Sequence, residues 1–364
     1  MVFPTSALVL ITATWNRNKL KVDCAIEPVI CVMSTGINSP DEWTSFPQVV
    51  DHFATTHGSA AAVEDAEGVW TYAQLRDASL RAAAVLSQNG LRGSRAPIWM
   101  QPAEQPLAPR PLAVWLPRSR EFFALCFGAW RLGLPVIALS GDMADKFLEK
   151  ERNQQSLRSL KPLALIADAT SGAALALDAG VSDLPILSVS EVLAAIRVQD
   201  RGIANALKEA GVMSEGDAPT TPTSALVYVF TGGTTKASKC VCVTHAMALW
   251  EASNYQTALF GAARVGDKFL QYSTLFWGAA VFGQLSIGLA VGGCICVGGS
   301  PMGCRGSADA LSQLACDVKS FGITVLGVVP SQLRGAWPGG PASAPESLRM
   351  LIVWADKCPV ELSR

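Results

Sequence analysis

The sequence has no excess of either charge. Its 29 Lys and Arg offset 30 Asp and Glu to leave a net charge of −1. Without a basic field there is no electrostatic footprint for a nucleic acid or for an anionic membrane surface. Charge is also scarce, at 16% of 364 residues, while half of the chain is hydrophobic. A long solvating or disordered tract therefore cannot make up the bulk of it. Histidine is nearly absent, with three in the chain, and no C-x-x-C pair occurs among ten cysteines. That excludes the common zinc spacings and a disulfide scaffold. The thiols, including the C-x-C pairs Cys240/Cys242 and Cys294/Cys296 inside apolar β-like runs, read as buried and reduced, which implies a cytoplasmic protein. No metal ligand is assigned. The apolar stretch Ala7 to Ala13 has no basic residue before it and no small-residue cleavage site after it, so it does not read as a secretory signal.

One long run does lack charge, from Phe269 to Cys304. Within it, Gly278 to Gly299 is broken by Gln284, Ser286 and seven glycines. A bilayer span needs roughly 20 uninterrupted apolar residues with flanking basic asymmetry. A buried helix followed by a buried strand accounts for the run, and no membrane span is expected.

What is present is alternation. Residues 1–42 show no period and read as an N-terminal extension of unknown structure, ending at the turn cluster Asn38 to Asp41. From residue 43 onward strands and helices alternate. Val69 to Tyr72 leads into a helix whose start carries the capping-box pair Thr71 and Gln74. Its apolar face is Leu75, Ala78, Ala82 and Val85 or Leu86, and Asn89-Gly90 forms its stop. Five prolines between Pro97 and Pro111 mark a loop insertion. Strands are expected at 112–116, 136–139, 163–166, 185–189, 225–230, 269–273, 294–297, 324–329 and 350–354. Helices are expected at 121–132, 144–160, 191–198, 244–259, 281–290 and 308–321. The pattern predicts an α/β fold with parallel or mixed sheets layered with helices.

Residues Ala225 to Lys239 carry the most chemical information. An apolar strand runs into Thr231, Gly232, Gly233, Thr234 and Thr235, followed by Lys236 and Lys239. Two glycines let the backbone turn several N–H groups toward one anion, three threonine hydroxyls add donors, and lysine adds charge. The composition suits a phosphate cradle. A flexible polar turn fits it as well, and it is not the G-x-x-x-x-G-K-[ST] loop of the common NTPases.

This segment, Tyr228-Val-Phe-Thr-Gly-Gly-Thr-Thr-Lys-Ala-Ser-Lys-Cys-Val241, resembles the signature loop Y-T-S-G-T-T-G-x-P-K-G-V of the adenylate-forming enzymes. These include acyl-CoA synthetases and nonribosomal peptide synthetase adenylation domains. Thr231, Gly233, Thr234, Thr235, Lys239 and Val241 match. Gly232, Lys236, Ser238 and Cys240 depart from it. Further segments resemble the family in its own order. Trp70 to Leu75 is similar to L-T-Y-x-E-L, Ala113 to Glu121 to A-x-L-L-P-R-S-x-E, and Ala129 to Val136 to the following helix end and strand. Ile323 to Arg334 is similar to T-x-x-x-x-V-P-S-x-L-R, and Ser347 to Asp356 to S-L-R-x-x-x-x-G-G-E.

The resemblance implies a fold, the large N-terminal subdomain of these enzymes over residues 43–364, incomplete at its C-terminus. It also implies an activity, ATP-dependent activation of a carboxylic acid as its acyl-adenylate. ATP would bind at Thr231, Gly232, Gly233, Thr234, Thr235 and Lys239, with Mg2+ as the family's metal. The partners implied are a small-molecule carboxylic acid and, as acyl acceptor, coenzyme A or a carrier-protein thiol. Trp277 aligns beside the substrate carboxylate. Gly278 aligns where amino-acid-activating members carry an aspartate for the α-ammonium, so an aryl, fatty or keto acid is expected over an α-amino acid. Trp277 also reads as a core aromatic. The family's magnesium glutamate, ribose aspartate and bridging lysine all lie beyond the stretch ending at Pro359. The expectation is therefore weak ATP binding with little or no adenylation by the chain alone, and no catalytic residue is assigned.

Two other readings stand beside this one. A phosphate-loop kinase or NTPase lacks the serine or threonine after the loop lysine. A catalytically silent nucleotide- or acyl-binding module requires nothing further. His245, in the family's T-H pair, reads as structural, Ser331 has no triad around it, and Lys146 to Arg152 reads as a solvated helix face.

Overall fold

The computed structural model describes residues 9–16, 19–24, 43–93, 109–141, 143, 145–197, 220–230, 240–258, 262–299, 308–338 and 343–354. The strands are β1 Val9–Asn16, β2 Lys19–Cys24, β3 Ala61–Asp65, β4 Gly68–Thr71, β5 Leu112–Val114, β6 Val136–Ala138 and β7 Ala164–Ala167. They continue with β8 Ile186–Ser188, β9 Ala225–Phe230, β10 Cys240–Thr244, β11 Lys268–Gln271, β12 Cys294–Val297, β13 Val325–Val328 and β14 Met350–Val353. The α-helices are α1 Phe46–Thr56, α2 Tyr72–Gln88, α3 Arg120–Arg131, α4 Lys146–Leu160, α5 Ala169–Asp178 and α6 Val189–Arg197. They continue with α7 His245–Ala258, α8 Ile287–Ala290, α9 Ala308–Phe321 and α10 Pro330–Ala336.

The strands form two sheets. One has the order β2-β1-β14-β13-β11-β12-β3-β4 and the other β10-β9-β6-β5-β7-β8. Pairing is parallel except at β1/β2, β3/β4 and β9/β10. Both sheets are covered on both faces, so their strands read as continuous apolar runs and not as alternation. Phe122, Phe127, Leu75 and Ala82 of α2 and α3 share one core with Val114 of one sheet and Ile295 and Ile352 of the other. These helices form the layer between the sheets. Leu314 and Val318 of α9 cover the outer face of the larger sheet, and Leu157 and Leu175 of α4 and α5 that of the smaller.

Local signals explain the central layer. Thr71 caps α2 by accepting from the Gln74 N–H at 3.3 Å, and Gln74 Oε1 accepts from the Thr71 N–H at 2.8 Å, which is the expected capping box. Leu75, Ala78, Ala82 and Leu86 are fully buried, and Gly90 takes φ +74° at the stop. The α2–α3 crossing is close because Gly128 faces small side chains. A Cβ there would stand 2.6 Å from Ala82 Cβ and 2.8 Å from the Ala83 nitrogen.

The structure departs from the sequence expectations at several points. Within residues 1–42, β1 and β2 form an antiparallel pair, and β1 joins β14 at the edge of the larger sheet. Four further elements appear that the expectation omitted: α1, β3, α5 and α10. The helix expected at 281–290 is a π-helix over Ala280–Ser286 continued by α8. The thiols are not uniformly buried: Cys126, Cys294 and Cys296 are, whereas Cys240 and Cys316 are exposed. The proline-rich insertion falls almost wholly outside the described residues. Among the described residues no helix is long and apolar enough to cross a membrane.

Candidate functional site

In a parallel sheet the crevice beyond the carboxyl ends of the strands is where ligands bind. Here the carboxyl ends of β9, β11, β13 and β14 are linked across the two sheets. Leaving β9, the Phe230 N–H donates to the Phe276 carbonyl at 2.7 Å, and Phe230 forms a parallel bridge with Trp277. Trp277 follows β11 by six residues and is half-buried. The end of β9 in one sheet and the segment after β11 in the other thus meet through backbone hydrogen bonding.

Thr231, Gly232, Gly233, Thr234, Thr235 and Lys239 all lie outside the described residues. Their flanks do not. β9 and β10 are antiparallel, with Phe230 opposite Cys240, so residues 231–239 leave and re-enter at one rung of the ladder. Trp277 is bridged to Phe230 at that rung. The thiol at the start of β10, Cys240, is pushed up to about 11 by burial and by Cys242 beside it. It is not an activated nucleophile.

The hairpin is rooted by His245. The imidazole is fully buried, and its Nδ1 accepts from the Phe46 N–H at 3.2 Å. That bond puts the ring proton on Nε2, which has no partner. Burial pulls the pKa of the ring down to about 3. A neutral ring held this way joins α1 to the start of α7 and cannot serve as a base near neutrality, in keeping with the structural role read from sequence.

On the other side of Trp277 the polypeptide becomes a π-helix, a form that often accompanies functional sites because it widens the turn. Gly278 opens it. A Cβ at this position would lie 3.7 Å from the Phe282 ring, an ordinary contact, so glycine is not sterically required there. The π-helix also places Gly283 against the ring of Trp354, which follows β14. A Cβ on Gly283 would stand 2.5 Å from that ring, and one on Gly327 of β13 would overlap it outright. Trp354 is buried, its N–H bonded to the Val328 carbonyl at 3.2 Å, while the indole Nε1 has no partner. Trp354 aligns with the first glycine of the S-L-R-x-x-x-x-G-G-E resemblance, so the indole occupies space a glycine would leave open.

The end of β11 and the π-helix share a buried polar group. Gln271 Nε2 donates to the Ser273 carbonyl at 2.7 Å, and the Ser273 N–H donates to Gln284 Oε1 at 3.4 Å. Gln271 Oε1 and Gln284 Nε2 remain without partners. Unpaired buried polar atoms are costly in a folded protein, by about 1–3 kcal/mol each, and mark places where a ligand or water completes the bonding. Sequence reading met Gln284 only as an interruption of an apolar run. Trp354 gave no signal of its own, because neither glycine of its cradle is near it in sequence.

The groups that ATP and Mg2+ need can be compared with this arrangement. The proposed phosphate loop, residues 231–239, lies outside the described residues, and only its flanks β9 and β10 are placed. For Mg2+ the described residues offer no converging set of hard oxygen ligands.

Comparison with known proteins agrees with the architecture. The profile of the family described as AMP-binding enzyme matches residues 50–364. No match is found among curated protein sequences. Among solved structures, VinN in complex with L-aspartate aligns over 87% of this chain and 71% of its own, with 22% identity and TM-score 0.63. The N-terminal subdomain of Klebsiella oxytoca NpsA with 3-hydroxybenzoyl-AMSN aligns over 91% and 70%, with 15% identity and TM-score 0.63. The N-terminal domain of FACL13 from Mycobacterium tuberculosis, bound to an inhibitor, aligns over 88% and 72%, with 18% identity and TM-score 0.62. These likenesses show the fold, that of the N-terminal subdomain of adenylate-forming enzymes. Together with the profile match over most of its length, they establish that the chain belongs to the AMP-binding enzyme family.

Proposed function

We propose that residues 43–364 form the large subdomain of a unit that activates a carboxylic acid with ATP, forming an acyl-adenylate, with little or no turnover expected from this subdomain alone. A carboxylate oxygen of the acid attacks the α-phosphorus, the bond to the bridging oxygen breaks, and pyrophosphate leaves. The observation that carries this reading is the Phe230–Phe276 hydrogen bond with the Phe230/Trp277 bridge, which ties the root of loop 231–239 to the segment that opens with Trp277 and Gly278. Phosphate donors and acid-contacting residues then belong to one crevice. Thr231, Thr234, Thr235 and the glycine N–H groups orient the phosphates, and Lys239 offsets their charge.

The acid has no α-ammonium in this reading, since Gly278 offers no carboxylate to pair with one. Trp354 across the Gly283/Gly327 cradle limits depth, which favours a compact aryl or keto acid over a long fatty chain. The acyl acceptor is coenzyme A or a carrier-protein thiol. Free exposed thiols at Cys240 and Cys316 suit the reducing cytoplasm. One observation favours a second reading, a silent nucleotide- or acyl-binding module: the Trp354 indole packs against Gly283 and Gly327 at a position that aligns with a glycine of the family motif.

Two measurements test the proposal. Calorimetry with ATP should show binding that Lys239→Ala weakens about tenfold, the scale of one charge-assisted phosphate contact. Equal affinities remove the loop assignment. Acid-dependent ATP–pyrophosphate exchange across aryl, keto and amino acids then separates the two readings. Binding without exchange for any acid leaves the silent module.

A further inference from the structure

Away from that crevice, two thiols, a carboxylate and an ammonium converge on one face of the larger sheet. Cys294 and Cys296 lie two apart on β12 and so project from the same side of the strand. The flanking strands add to them by register: Cys296 is opposite Glu64 on β3, and Cys294 is opposite Lys268 on β11. The ligand atoms of Glu64, Cys294 and Cys296 lie within 4.8 Å of one another, with Cys296 Sγ 3.8 Å from Glu64 Oε2. Lys268 Nζ reaches across β12 to Glu64 Oε2 at 2.7 Å and also donates to the Phe321 carbonyl at 3.0 Å.

From this geometry we propose that Cys294, Cys296 and Glu64 form a binding site for a soft divalent cation of the zinc class. The inference is independent of the adenylation reading. Sulfurs about 2.3 Å from a tetrahedral ion stand about 3.8 Å apart, so the observed spread needs to contract by only about 1 Å. Thiolate donors select soft and borderline ions over Mg2+ or Ca2+. The charge balance is favourable. Without metal the site holds a carboxylate–ammonium pair and two neutral thiols, net zero. The dication displaces both thiol protons to solvent, two S–H bonds giving way to two S–metal bonds, and the site stays net zero. No uncompensated charge is buried at any stage. Glu64 Oε2 faces both Cys296 and the ammonium, so the carboxylate would turn to give one oxygen to the ion and keep the other on Lys268. The fourth position falls to water, because Glu64 and Lys268 side chains are 20% and 33% exposed and form the mouth, while both thiols are buried.

The second C-x-C pair is the internal contrast. Cys240 and Cys242 share a strand face in the same way, but among the described residues no third ligand approaches them. The bound ion would cross-link β12 to β3, whose hairpin leads into the cap of α2.

Chelator-stripped, reduced protein is titrated with Cd2+ and separately with Co2+, following the thiolate-to-metal charge-transfer absorption and, for Co2+, the visible bands of a tetrahedral site. Saturation at one ion per chain is expected. The Cys294→Ser/Cys296→Ser double variant should lose the band, Cys240→Ser/Cys242→Ser should keep it, and Glu64→Gln should weaken binding about tenfold. No band in the parent protein, or a band that survives the first double variant or vanishes in the second, overturns the proposal. Should the first double variant not fold, the single variants Cys294→Ser and Cys296→Ser decide instead. A weakened or shifted band in both upholds the site, and an unchanged band in either refutes it.

Discussion

His245 makes the stability of the protein sensitive to mild acid, and the size of the effect follows from its surroundings. The folded pKa is lowered from 6.5 to about 3 because burial disfavours the imidazolium. The unfolded chain therefore takes up this proton first. Stability from the neutral ring is full above the unfolded value and is lost as pH falls from about 6.5 toward 3. Each pH unit inside that window costs about 1.4 kcal/mol. At pH 5 the loss is about 2 kcal/mol, and it depends little on the folded value so long as that value lies below 5. Carboxylates titrate nearby in pH, so the His245→Asn variant isolates the term. Its Oδ1 can accept the Phe46 N–H as Nδ1 does, without a proton to gain. Losing half the ring from the contact with Phe46 and Trp130 should cost about 2 kcal/mol at pH 7.5. Urea unfolding of both proteins at pH 7.5, 6, 5 and 4.5 reads the difference. The parent advantage should shrink by about 2 kcal/mol by pH 5, with unchanged denaturant slopes. Parallel pH profiles would refute the burial argument.

Other sites give equally direct outcomes. Gly327→Ala forces a methyl into the Trp354 ring and should destabilise by about 3 kcal/mol, with Trp354→Leu restoring part of it in the double variant. Asp267 is buried and pairs with Arg349 while accepting from the Arg264 N–H at 2.8 Å and the Thr324 hydroxyl at 2.8 Å. Asp267→Ala should cost about 3 kcal/mol in the same assay and Asp267→Asn less, since the amide keeps one acceptor. Thr71→Ala removes one half of the α2 capping box and should cost about 1 kcal/mol, with Thr71→Ser close to the parent.

The parts of the fold legible in the sequence are those specified within a few residues. The Thr71/Gln74 box and the apolar face of α2 are i, i+3 and i, i+4 patterns, and β9, β12 and α9 are runs bounded by turn residues. Even omitted elements carry such marks: Ser45 with Pro47 opens α1, and Asp168, accepting from the Ser171 N–H at 3.0 Å, opens α5. What could not be read is set by register between distant strands. Glu64 and Cys296 are 232 residues apart and meet only because β3 lies beside β12. The π-helix is likewise invisible, since its residues suit an α-helix and the choice is made by packing around Gly283 and Gly288. The family motifs named a crevice, but not that Trp354 would stand in it.

That last point decides how the crevice should be probed. The Trp354 indole is held by two glycines from separate elements, one on the π-helix and one on β13, while its own backbone is tied to Val328. Neither glycine can enlarge while the indole is present, and the backbone that carries the indole is fixed by the rung that continues the β13/β14 pairing. The close-packed surroundings therefore leave it one position. Shortening Trp354 opens space that nothing nearby is free to fill, so an enlarged acid range should follow from Trp354→Ala and not from changes at Gly278. A Gly278 side chain meets only an ordinary contact with Phe282, and an aspartate there adds a charge for an α-ammonium without altering depth. Under the proposed assignment depth and charge are separable, with Trp354 setting one and position 278 the other. The four combinations of Trp354→Ala and Gly278→Asp, assayed by exchange against compact, extended and amino acids, should show independent effects on size and on ammonium preference. Strong coupling between the two positions would mean that they do not face one crevice.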